Sequence, residues 1–332
     1  MSGVAGALPV VIVGGGPVGL TAAIDLQRRG VPPIVLEAKP EITWSSRAIC
    51  ISRRSLEIYD RLRVPAIAAK GLGWHRGQSY WRRHKVFDLA LAHGPGDRHP
   101  PFVNLQQFYT EQFLADVFVE AGGALRWNAR VTGLEQRDGK VTLEVDHDGK
   151  RSRIDAAYVI ACDGARSTVR EALGLALEGT SYEGRYLIAD IEIESDRAVE
   201  RRVWFDPPSN PGSTVIIHVQ PDHIWRVDYQ LRDDEDPDEA LREDNVIARI
   251  RSHLAMIGEH APWRLHWRSL YRAHCLTLAD YVHGRVLFAG DAAHLVPIFG
   301  VRGLNSGIED AHNLAWKVAA AQQGRAGPAL LA

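Results

Sequence analysis

The stretch LPVVIVGGGPVGL, residues 8–20, decides the fold because it combines a strand, a glycine turn and the start of a helix. The β-branched run Leu8–Val13 is typical of a parallel strand that is buried on both faces. The glycines that follow have GxGxxG spacing. Gly14 permits a tight turn, Gly16 lets the backbone approach a pyrophosphate, and Gly19 allows the helix to pack closely on the strand. The stretch therefore predicts a dinucleotide-binding turn.

Pro17 and Glu37 complete a βαβ unit around this turn. Pro17 suits the first turn of a helix, whose N-terminus then faces the phosphates, and Gly30 fits the C′ position at its end. Glu37 closes the next strand about 20 residues on, where an acid can accept hydrogen bonds from ribose hydroxyls. An acid rather than an arginine here favours NAD or FAD over NADP. The alternative is that Glu37 is an ordinary surface glutamate.

Two later strands also end in a glycine–acid turn, at Cys162-Asp163-Gly164 and at Gly290-Asp291. A simple NAD-dependent dehydrogenase needs one phosphate-binding turn, whereas FAD is longer and needs partners along its ribityl chain and at its ring. We expect Asp291 to bind the ribityl hydroxyls. We expect the helix that begins near Leu304 to direct its N-terminal partial positive charge at the flavin pyrimidine. The alternative is a Pro/Gly loop before an ordinary helix.

Composition excludes several classes of protein. The 332 residues carry a formal net charge of −2, which gives no basic excess for nucleic acid. No apolar run reaches the roughly 18 residues of a membrane span. The three cysteines are far apart and form no CxxC pair, which disfavours a disulfide framework and a zinc site. The simplest interpretation is that they are reduced thiols in a cytoplasmic protein. We expect no metal, and we interpret the arginine pairs at 82–83 and 201–202 as solvated charge.

The order of elements predicts an α/β fold with a Rossmann-like FAD-binding domain and an inserted, mostly antiparallel β-sheet substrate domain. From about residue 180, period-2 segments alternate with Pro, Gly and Asp turns, and α/β character returns near residue 285. The discontinuous FAD-binding domain is predicted to comprise 1–75, 104–179 and 283–332. The substrate-binding sheet domain is predicted to comprise 76–103 and 180–282.

Three finer predictions concern single elements. One strand is predicted over 124–131, one over 154–161, and one helix over 237–254. No element is assigned between residues 255 and 284.

Three motifs, in this order, resemble those of the class A flavoprotein monooxygenases, the aromatic hydroxylases of the p-hydroxybenzoate hydroxylase fold. GGGPVG with Glu37 resembles their first FAD motif, CDGARS at 162–167 with Arg170 their DG motif, and GDAAH at 290–294 their GD motif. PIFGVRGLN at 297–305 is similar to the loop that holds their flavin ring. QPDHIWRVDYQL at 220–231 is similar to the 3-(3-hydroxyphenyl)propionate-hydroxylase-like branch.

This resemblance implies roles for residues outside the glycine turn. It implies that Arg47 reaches the pyrophosphate or ribityl region, that Gln107 contacts the ribityl chain, and that the Val131 backbone contacts adenine. Asp163 would serve both FAD and NAD(P)H. The expected cofactor-binding residues are Gly14, Gly16, Pro17, Gly19, Glu37, Arg47, Gln107, Val131, Asp163, Gly164, Gly290, Asp291, Pro297, Gly300, Gly303, Leu304 and Asn305.

Candidates for the catalytic and substrate site lie in the sheet domain. The resemblance implies that an arginine like Arg226 lies near the flavin's mobile position, and we add His218 and Tyr229 as catalytic candidates. The alternative is an ordinary strand with a solvated polar face and an aromatic core face. Alternation divides this strand into two faces, one with Arg226, Asp228 and Gln230, the other with Trp225, Val227 and Tyr229.

The resemblance implies an FAD-dependent, NAD(P)H-using monooxygenase that hydroxylates a phenolic or related aromatic compound through a flavin C4a-hydroperoxide. FAD would be the cofactor, NAD(P)H the co-substrate, and O2 and a small aromatic substrate the partners; a homodimer stays open. One alternative is a flavin oxidoreductase without oxygen insertion. Another is a truncated, non-catalytic flavin-binding protein, because the family continues beyond the equivalent of ALLA at 329–332.

Overall fold

The computed structural model describes residues 8–44, 47–297 and 300–331, without the side chains of residues 182 and 183. Ile298 and Phe299 of the predicted ring loop lie outside these ranges. The α-helices in the described ranges are α1 (Pro17–Arg28), α2 (Arg53–Arg61), α3 (Ala66–Lys70), α4 (Gln107–Glu120), α5 (Thr168–Ala172), α6 (Pro237–Leu241), α7 (Glu243–Met256) and α8 (Arg302–Gln322). No helix in this part of the chain has both the length and the apolar character needed to cross a membrane.

The β-strands lie between these helices along the chain, often several in succession. They are β1 (Val10–Val13), β2 (Ile34–Leu36), β3 (Cys50–Ser52), β4 (Leu72–Trp74), β5 (Arg76–Trp81), β6 (His84–Ala90), β7 (Phe102–Asn104), β8 (Ala124–Arg126), β9 (Ala129–Arg137), β10 (Lys140–His147), β11 (Lys150–Ala156), β12 (Tyr158–Ala161), β13 (Glu178–Ile193), β14 (Arg201–Phe205), β15 (Thr214–Gln220), β16 (Ile224–Leu231), β17 (Trp263–Thr277), β18 (Val282–His283), β19 (Val286–Phe288) and β20 (His294–Leu295).

A six-stranded sheet in the order β18-β19-β12-β1-β2-β8 forms the base of the molecule. Five of its strands are parallel, and β18 runs antiparallel to β19. All four residues of β1 are buried because both faces are covered. Helices α1, α4 and α8 pack on one face. The antiparallel sheet β9–β10–β11 and helix α5 pack on the other.

An eight-stranded sheet in the order β20-β17-β13-β16-β15-β14-β5-β6 forms the second layer. Its pairs are antiparallel except for β14 with β5. Alternate residues of β13, β15 and β16 form a core with α6 and α7 on one face of this sheet. A small sheet, β3-β7-β4, lies beside it. The predicted fold class, an α/β cofactor domain with an inserted antiparallel sheet, is confirmed.

Several single elements differ from prediction. The predicted strand over 124–131 is two strands, β8 and β9, in different sheets, and the strand over 154–161 is likewise β11 and β12. The predicted helix over 237–254 is broken at Arg242, whose backbone is extended. The 15-residue strand β17 was not predicted, because its arginines and histidines leave no clear apolar alternation. β20 pairs with β17 although its residues fall in the range predicted for the FAD-binding domain.

Tyr229 lies on the core face of β16, so its side chain cannot reach the opposite face of the sheet. It is fully buried among apolar residues that pack against α7. Its hydroxyl is enclosed without a hydrogen-bond partner among the described residues. This position corrects the expectation that Tyr229 belongs to the catalytic set, and it indicates a packing role.

We expect Tyr229→Phe to leave the free energy of unfolding unchanged or to raise it, because the change removes a buried hydroxyl that has no partner. Tyr229→Ala should lower that free energy by about 3–5 kcal/mol, because it leaves a cavity in the core. Urea denaturation followed by circular dichroism measures both values. A loss above about 1 kcal/mol for Tyr229→Phe would contradict this assignment, since it would reveal a hydrogen bond.

Candidate functional site

One cleft of about 700 Å³ lies between the carboxyl ends of the parallel strands and the inner face of the eight-stranded sheet. Its size is in the usual range for ligand-binding sites. Residues distant in the chain converge on it. The predicted cofactor-binding residues that line it are Gly14, Gly16, Pro17, Glu37, Arg47, Gln107, Val131, Asp163, Gly164, Asp291, Pro297, Gly303 and Leu304.

The glycine turn after β1 has the geometry that its spacing predicts. Gly14 has φ +105°, and a Cβ there would lie 2.3 Å from Cys162 O. A Cβ at Gly19 would lie 2.0 Å from Gly14 O, so Gly19 serves the packing of α1 rather than the wall of the cleft. A Cβ at Gly16 would meet nothing within 4 Å. The turn is therefore closed on the protein side and open on the cleft side.

Glu37 lies against this turn, at the end of β2. Its Oε2 accepts a hydrogen bond from Gly15 N at 2.6 Å, and its Oε1 accepts one from Lys39 N at 2.9 Å. Both bonds fix the carboxylate at the rim of the cleft. The interpretation of Glu37 as an ordinary surface residue is therefore not supported.

Asp163 follows β12 and faces the same cleft. Its Oδ2 accepts a hydrogen bond from Val169 N at 3.1 Å, whereas its Oδ1 is buried without a hydrogen-bond partner in the described ranges. Burial raises the pKa of this carboxyl, and hydrogen bonds from Ser167 and from backbone amides oppose the shift. A buried acceptor that lacks a donor fits a bound ligand carrying hydroxyl groups.

Asp291 follows β19 and opens onto the cleft. Enclosure by the cleft walls raises the pKa of its carboxyl, and the charges of His294 and Arg47 oppose that shift. Gly290 does not line the cleft. It packs against α1, where a Cβ would lie 3.0 Å from Val18 Cγ2, and its N–H donates to Asp310 Oδ2 at 3.0 Å.

Two side chains, Arg170 and His294, hold these turns in place. Arg170 Nη1 donates to Ala292 O at 3.1 Å and its Nη2 donates to Ala165 O at 2.6 Å, which joins the two acidic turns. His294 Nε2 donates to Asp310 Oδ2 at 2.6 Å, the same oxygen that accepts from Gly290 N–H. The sequence motifs include Arg170 and His294 but do not reveal these contacts, since the partners are backbone carbonyls and a residue on another element.

Helix α8 begins at Arg302, beside the cleft. Val301 precedes it with φ +60°, a left-handed conformation that is uncommon for a β-branched residue. The Asn305 side chain is fully engaged in the protein: its Oδ1 accepts from Ser52 N and Ser55 Oγ, and its Nδ2 donates to Cys50 O and Val301 O. Asn305 therefore fixes the start of α8, and neither it nor the exposed Gly300 lines the cleft.

Gln107 and Arg47 also line the cleft. Gln107 Oε1 accepts from Ala48 N at 3.0 Å and its Nε2 donates to Glu111 Oε1 at 2.8 Å. The backbone O of Arg47 accepts from Arg226 Nη1 at 2.9 Å, while the Arg47 side chain remains exposed at the cleft. The loop through Arg47 is thus held from both layers of the molecule.

The inner face of the eight-stranded sheet forms the opposite wall. Ile188, Arg201, Ile216, His218, Arg226 and Asp228 line the cleft there. This face is not solvated, contrary to the ordinary-strand alternative: Arg226 is 1% exposed and Asp228 4% exposed. The interpretation of the arginine pair at 201–202 as solvated charge is wrong as well, since Arg201 lines the cleft and Arg202 is 7% exposed.

Arg226 and His218, unlike Tyr229, do lie at the cleft. Arg226 Nε donates to Asp190 Oδ1 at 3.0 Å and its Nη2 to Asp190 Oδ2 at 3.2 Å, a buried bidentate pair. His218 lies with Nδ1 3.6 Å from Cys50 Sγ. Burial and the charges of Arg201 and Arg226 hold the pKa of His218 well below its usual range, so its imidazole is neutral.

Comparison with known proteins assigns the chain to a family of FAD-binding proteins. A family model described as "FAD binding domain" matches residues 7–332. A protein named flavin-dependent monooxygenase of Mycobacteroides abscessus is 30% identical over 335 residues, which cover 94% of this chain and 67% of the relative. A 3-(3-hydroxy-phenyl)propionate/3-hydroxycinnamic acid hydroxylase of Mycolicibacterium smegmatis is 31% identical over 98% of this chain and 57% of the relative.

Solved structures of similar proteins have the same fold as this chain. The crystal structure of the flavin-dependent monooxygenase PieE in complex with FAD and substrate superimposes with a TM-score of 0.86 at 28% identity. The match covers 98% of this chain and 59% of that chain, so this chain spans roughly three fifths of the length of several proteins that it resembles. The chain belongs to the FAD-binding-domain family that includes the class A flavin-dependent aromatic monooxygenases.

Proposed function

We propose that this protein is an FAD-dependent, NAD(P)H-using monooxygenase that hydroxylates a phenolic or related aromatic compound. One observation carries the proposal: a single cleft joins the three acidic turns of the parallel sheet to a buried polar face of the antiparallel sheet. The first wall has the groups that a flavin dinucleotide requires. The second wall has apolar and hydrogen-bonding groups suited to a small aromatic compound.

The residues present fit FAD. Gly16 leaves room for a pyrophosphate beside the N-terminus of α1, and the rim carboxylate of Glu37 is placed for a ribose. The unpartnered Asp163 Oδ1 and the cleft-facing Asp291 are acceptors for ligand hydroxyls. Arg47 supplies a positive charge at the cleft. We assign adenine contact to the Val131 backbone and ribityl contact to Gln107.

At the far end, the N-terminus of α8 would stabilise negative charge on the flavin pyrimidine. Gly303 and Leu304, in the first turn, line the cleft, and their turn carries no acidic side chain that would offset the helix dipole. The side-chain bonds of Asn305 hold this turn in place, so its N–H groups need little reorganisation.

When bound, FAD would supply the redox chemistry, accepting hydride from NAD(P)H and reacting with O2. The chain's own residues orient the aromatic ring, polarise its hydroxyl and exclude water from the reacting atoms. The names of the relatives support an aromatic substrate, since the hydroxylase from Mycolicibacterium smegmatis acts on 3-(3-hydroxy-phenyl)propionate. A cytoplasmic location is part of this proposal, supported by the three free cysteines.

The test is to purify the protein, load it with FAD, and screen phenols for stimulated NAD(P)H oxidation, with product oxygen traced by ¹⁸O2. Labelled hydroxylated product supports the proposal. Fully coupled anaerobic turnover without product oxygen would select a hydride-transferring oxidoreductase instead. Flavin binding without reduction by NAD(P)H, whatever the phenol, would select a non-catalytic flavin-binding protein. A protein that cannot be loaded with FAD would refute all three.

Asp291→Ala should weaken FAD binding by about 1.5–3 kcal/mol, because a charged acceptor for cofactor hydroxyls is lost. Flavin fluorescence during titration of the apoprotein measures the change. Asp280→Ala, an exposed aspartate before β18, is the matched control and should bind FAD as the wild type does. Equal affinity in the Asp291 variant would show that Asp291 does not contact the cofactor.

Gly16→Ala should separate cofactor binding from folding. An added Cβ meets nothing in the protein, so the free energy of unfolding should stay within about 1 kcal/mol of the wild-type value. The methyl group would occupy the space through which the pyrophosphate approaches the backbone, so FAD binding should weaken about tenfold or more. Gly19→Ala is the contrasting variant and should destabilise the fold, because its Cβ would lie 2.0 Å from Gly14 O. Normal FAD affinity in Gly16→Ala would contradict this placement of the pyrophosphate.

A further inference from the structure

The β5–β6 edge of the eight-stranded sheet carries an exposed aromatic patch. Trp81, Phe87 and Phe205 are 52%, 57% and 40% exposed. Trp81 on β5 pairs with Phe205 on β14. Phe87 on β6 pairs with Ser79, two residues before Trp81. Alternate residues of a strand share one face, so all three rings project from the same face of the sheet. An exposed apolar patch of neighbouring residues is typical of an interaction surface.

Positive charge lies beside this patch, in the turn between β5 and β6. Arg82 and Arg83 form the turn, and Lys85 follows on β6. The Arg82 side chain is 63% exposed, whereas Asp206, its ion-pair partner, is 20% exposed, so the cation faces outward. Lys85 pairs with Asp88, which belongs to the fourth residue pair from the turn. Exposed ion pairs contribute little, so both cations can bind an external anion instead.

Arg82 occupies a backbone position that does not favour an arginine. It is the first of two turn residues between the paired residues Trp81 and His84, and its φ is +55°. Hairpin turns that need this left-handed conformation usually have glycine, asparagine or aspartate at such a position. The turn therefore carries its charge at a conformational cost, which supports a role for that charge outside the fold.

Two features disfavour a second copy of this chain as the partner. The edge strand β6 has a register shift at Val86, and Lys85 and Asp88 place charges along it. Bulges and charges on an edge strand oppose the addition of another strand. A dimer formed face to face through the aromatic patch would bring the arginines of both turns together, and like charges oppose such a contact. The partner must therefore be anionic and must also accept aromatic side chains.

We propose that the hairpin surface, formed by residues 81–87 and Phe205, binds an anionic phospholipid surface. Aromatic rings enter the boundary between headgroups and acyl chains, while arginine and lysine contact the lipid phosphates. Single-stranded nucleic acid also binds rings and cations, yet it needs a basic groove that follows several nucleotides. The cations here are confined to one turn, which favours the lipid surface. Such peripheral binding needs neither a membrane-spanning helix nor bound FAD.

The experiment is sedimentation of the purified chain with vesicles of phosphatidylcholine, either alone or mixed with phosphatidylserine. The wild type should bind the mixed vesicles about tenfold or more tightly than the neutral ones, because the cations contact anionic headgroups. Binding should weaken as salt is added, because exposed charges are screened. Brominated lipid in the mixed vesicles should quench part of the tryptophan fluorescence, since Trp81 would enter the acyl boundary.

A charge variant tests the basic turn. Arg83→Gln combined with Lys85→Gln should weaken binding to the mixed vesicles by about fivefold for each cation removed. The matched control is Lys150→Gln combined with Arg151→Gln, which removes the same charge from exposed positions of the β10–β11 hairpin and should leave binding unchanged. Because both variants have the same net charge, a difference between them reports the position of the cations.

An aromatic variant tests the patch. Trp81→Ser combined with Phe87→Ser should weaken binding to the mixed vesicles and remove the quenching, whereas Trp81→Phe combined with the native Phe87 should retain binding and lose the quenching. Trp316→Ser, which removes an exposed ring from α8, is the control and should leave both measurements unchanged. Circular dichroism should show unchanged melting of all these variants, because the replaced side chains are exposed.

Several outcomes would overturn the lipid assignment and leave the proposed function standing. One is a wild type that does not sediment with the mixed vesicles, and another is equal weakening in the charge variant and its control. Binding to an oligonucleotide in place of vesicles would assign the surface to nucleic acid. Self-association that is lost with the Trp81 and Phe87 rings, without vesicle binding, would assign it to a dimer.

Discussion

The structure depends on one constraint: parallel strands β1, β2, β12 and β19 all end at the same edge of one sheet. Each strand delivers its next residues to that edge, so the glycine turn, Glu37, Asp163 and Asp291 converge although they span most of the chain. Close contact maintains the arrangement, since Gly14 and Gly19 leave no space for a side chain between α1, β1 and Cys162. Arg170 then ties the two acidic turns together through backbone carbonyls.

Most of the cofactor wall could be predicted from sequence because its signals are local. A β-branched run, a glycine turn and an acid lie next to one another in the chain, and the fold needs only to align strand ends. The braces of this wall had no such signal. Asp310 acts on Gly290 and His294 from a different element, and Asn305 fixes α8 through bonds to β3 and α2. Such roles arise from tertiary contacts that spacing does not encode.

The substrate wall was predicted less well, for a physical reason. Alternation correctly divided β16 into two faces, yet it does not reveal which face meets a helix and which meets a cleft. Tyr229 was placed in the site although its face packs on α7, and Arg201 was dismissed as solvated although it faces the cleft. A buried charged face is rare in an ordinary sheet, and this one is enclosed because the cofactor-binding layer lies across the cleft from it, which the sequence of β16 alone does not reveal.

The late position of β19 and β20 in the chain has a consequence for how the protein is made. β19 completes the parallel sheet beside β12, and β20 completes the antiparallel sheet beside β17, so both layers acquire their last strands from residues 286–295. β5 and β6 must likewise wait for β14, more than 100 residues later, before they can join their sheet. During synthesis, neither layer can close before residues 286–295 have left the ribosome. Assembly is then governed by contacts of long sequence separation, which are typical of slow folding and of chains that need protection while incomplete.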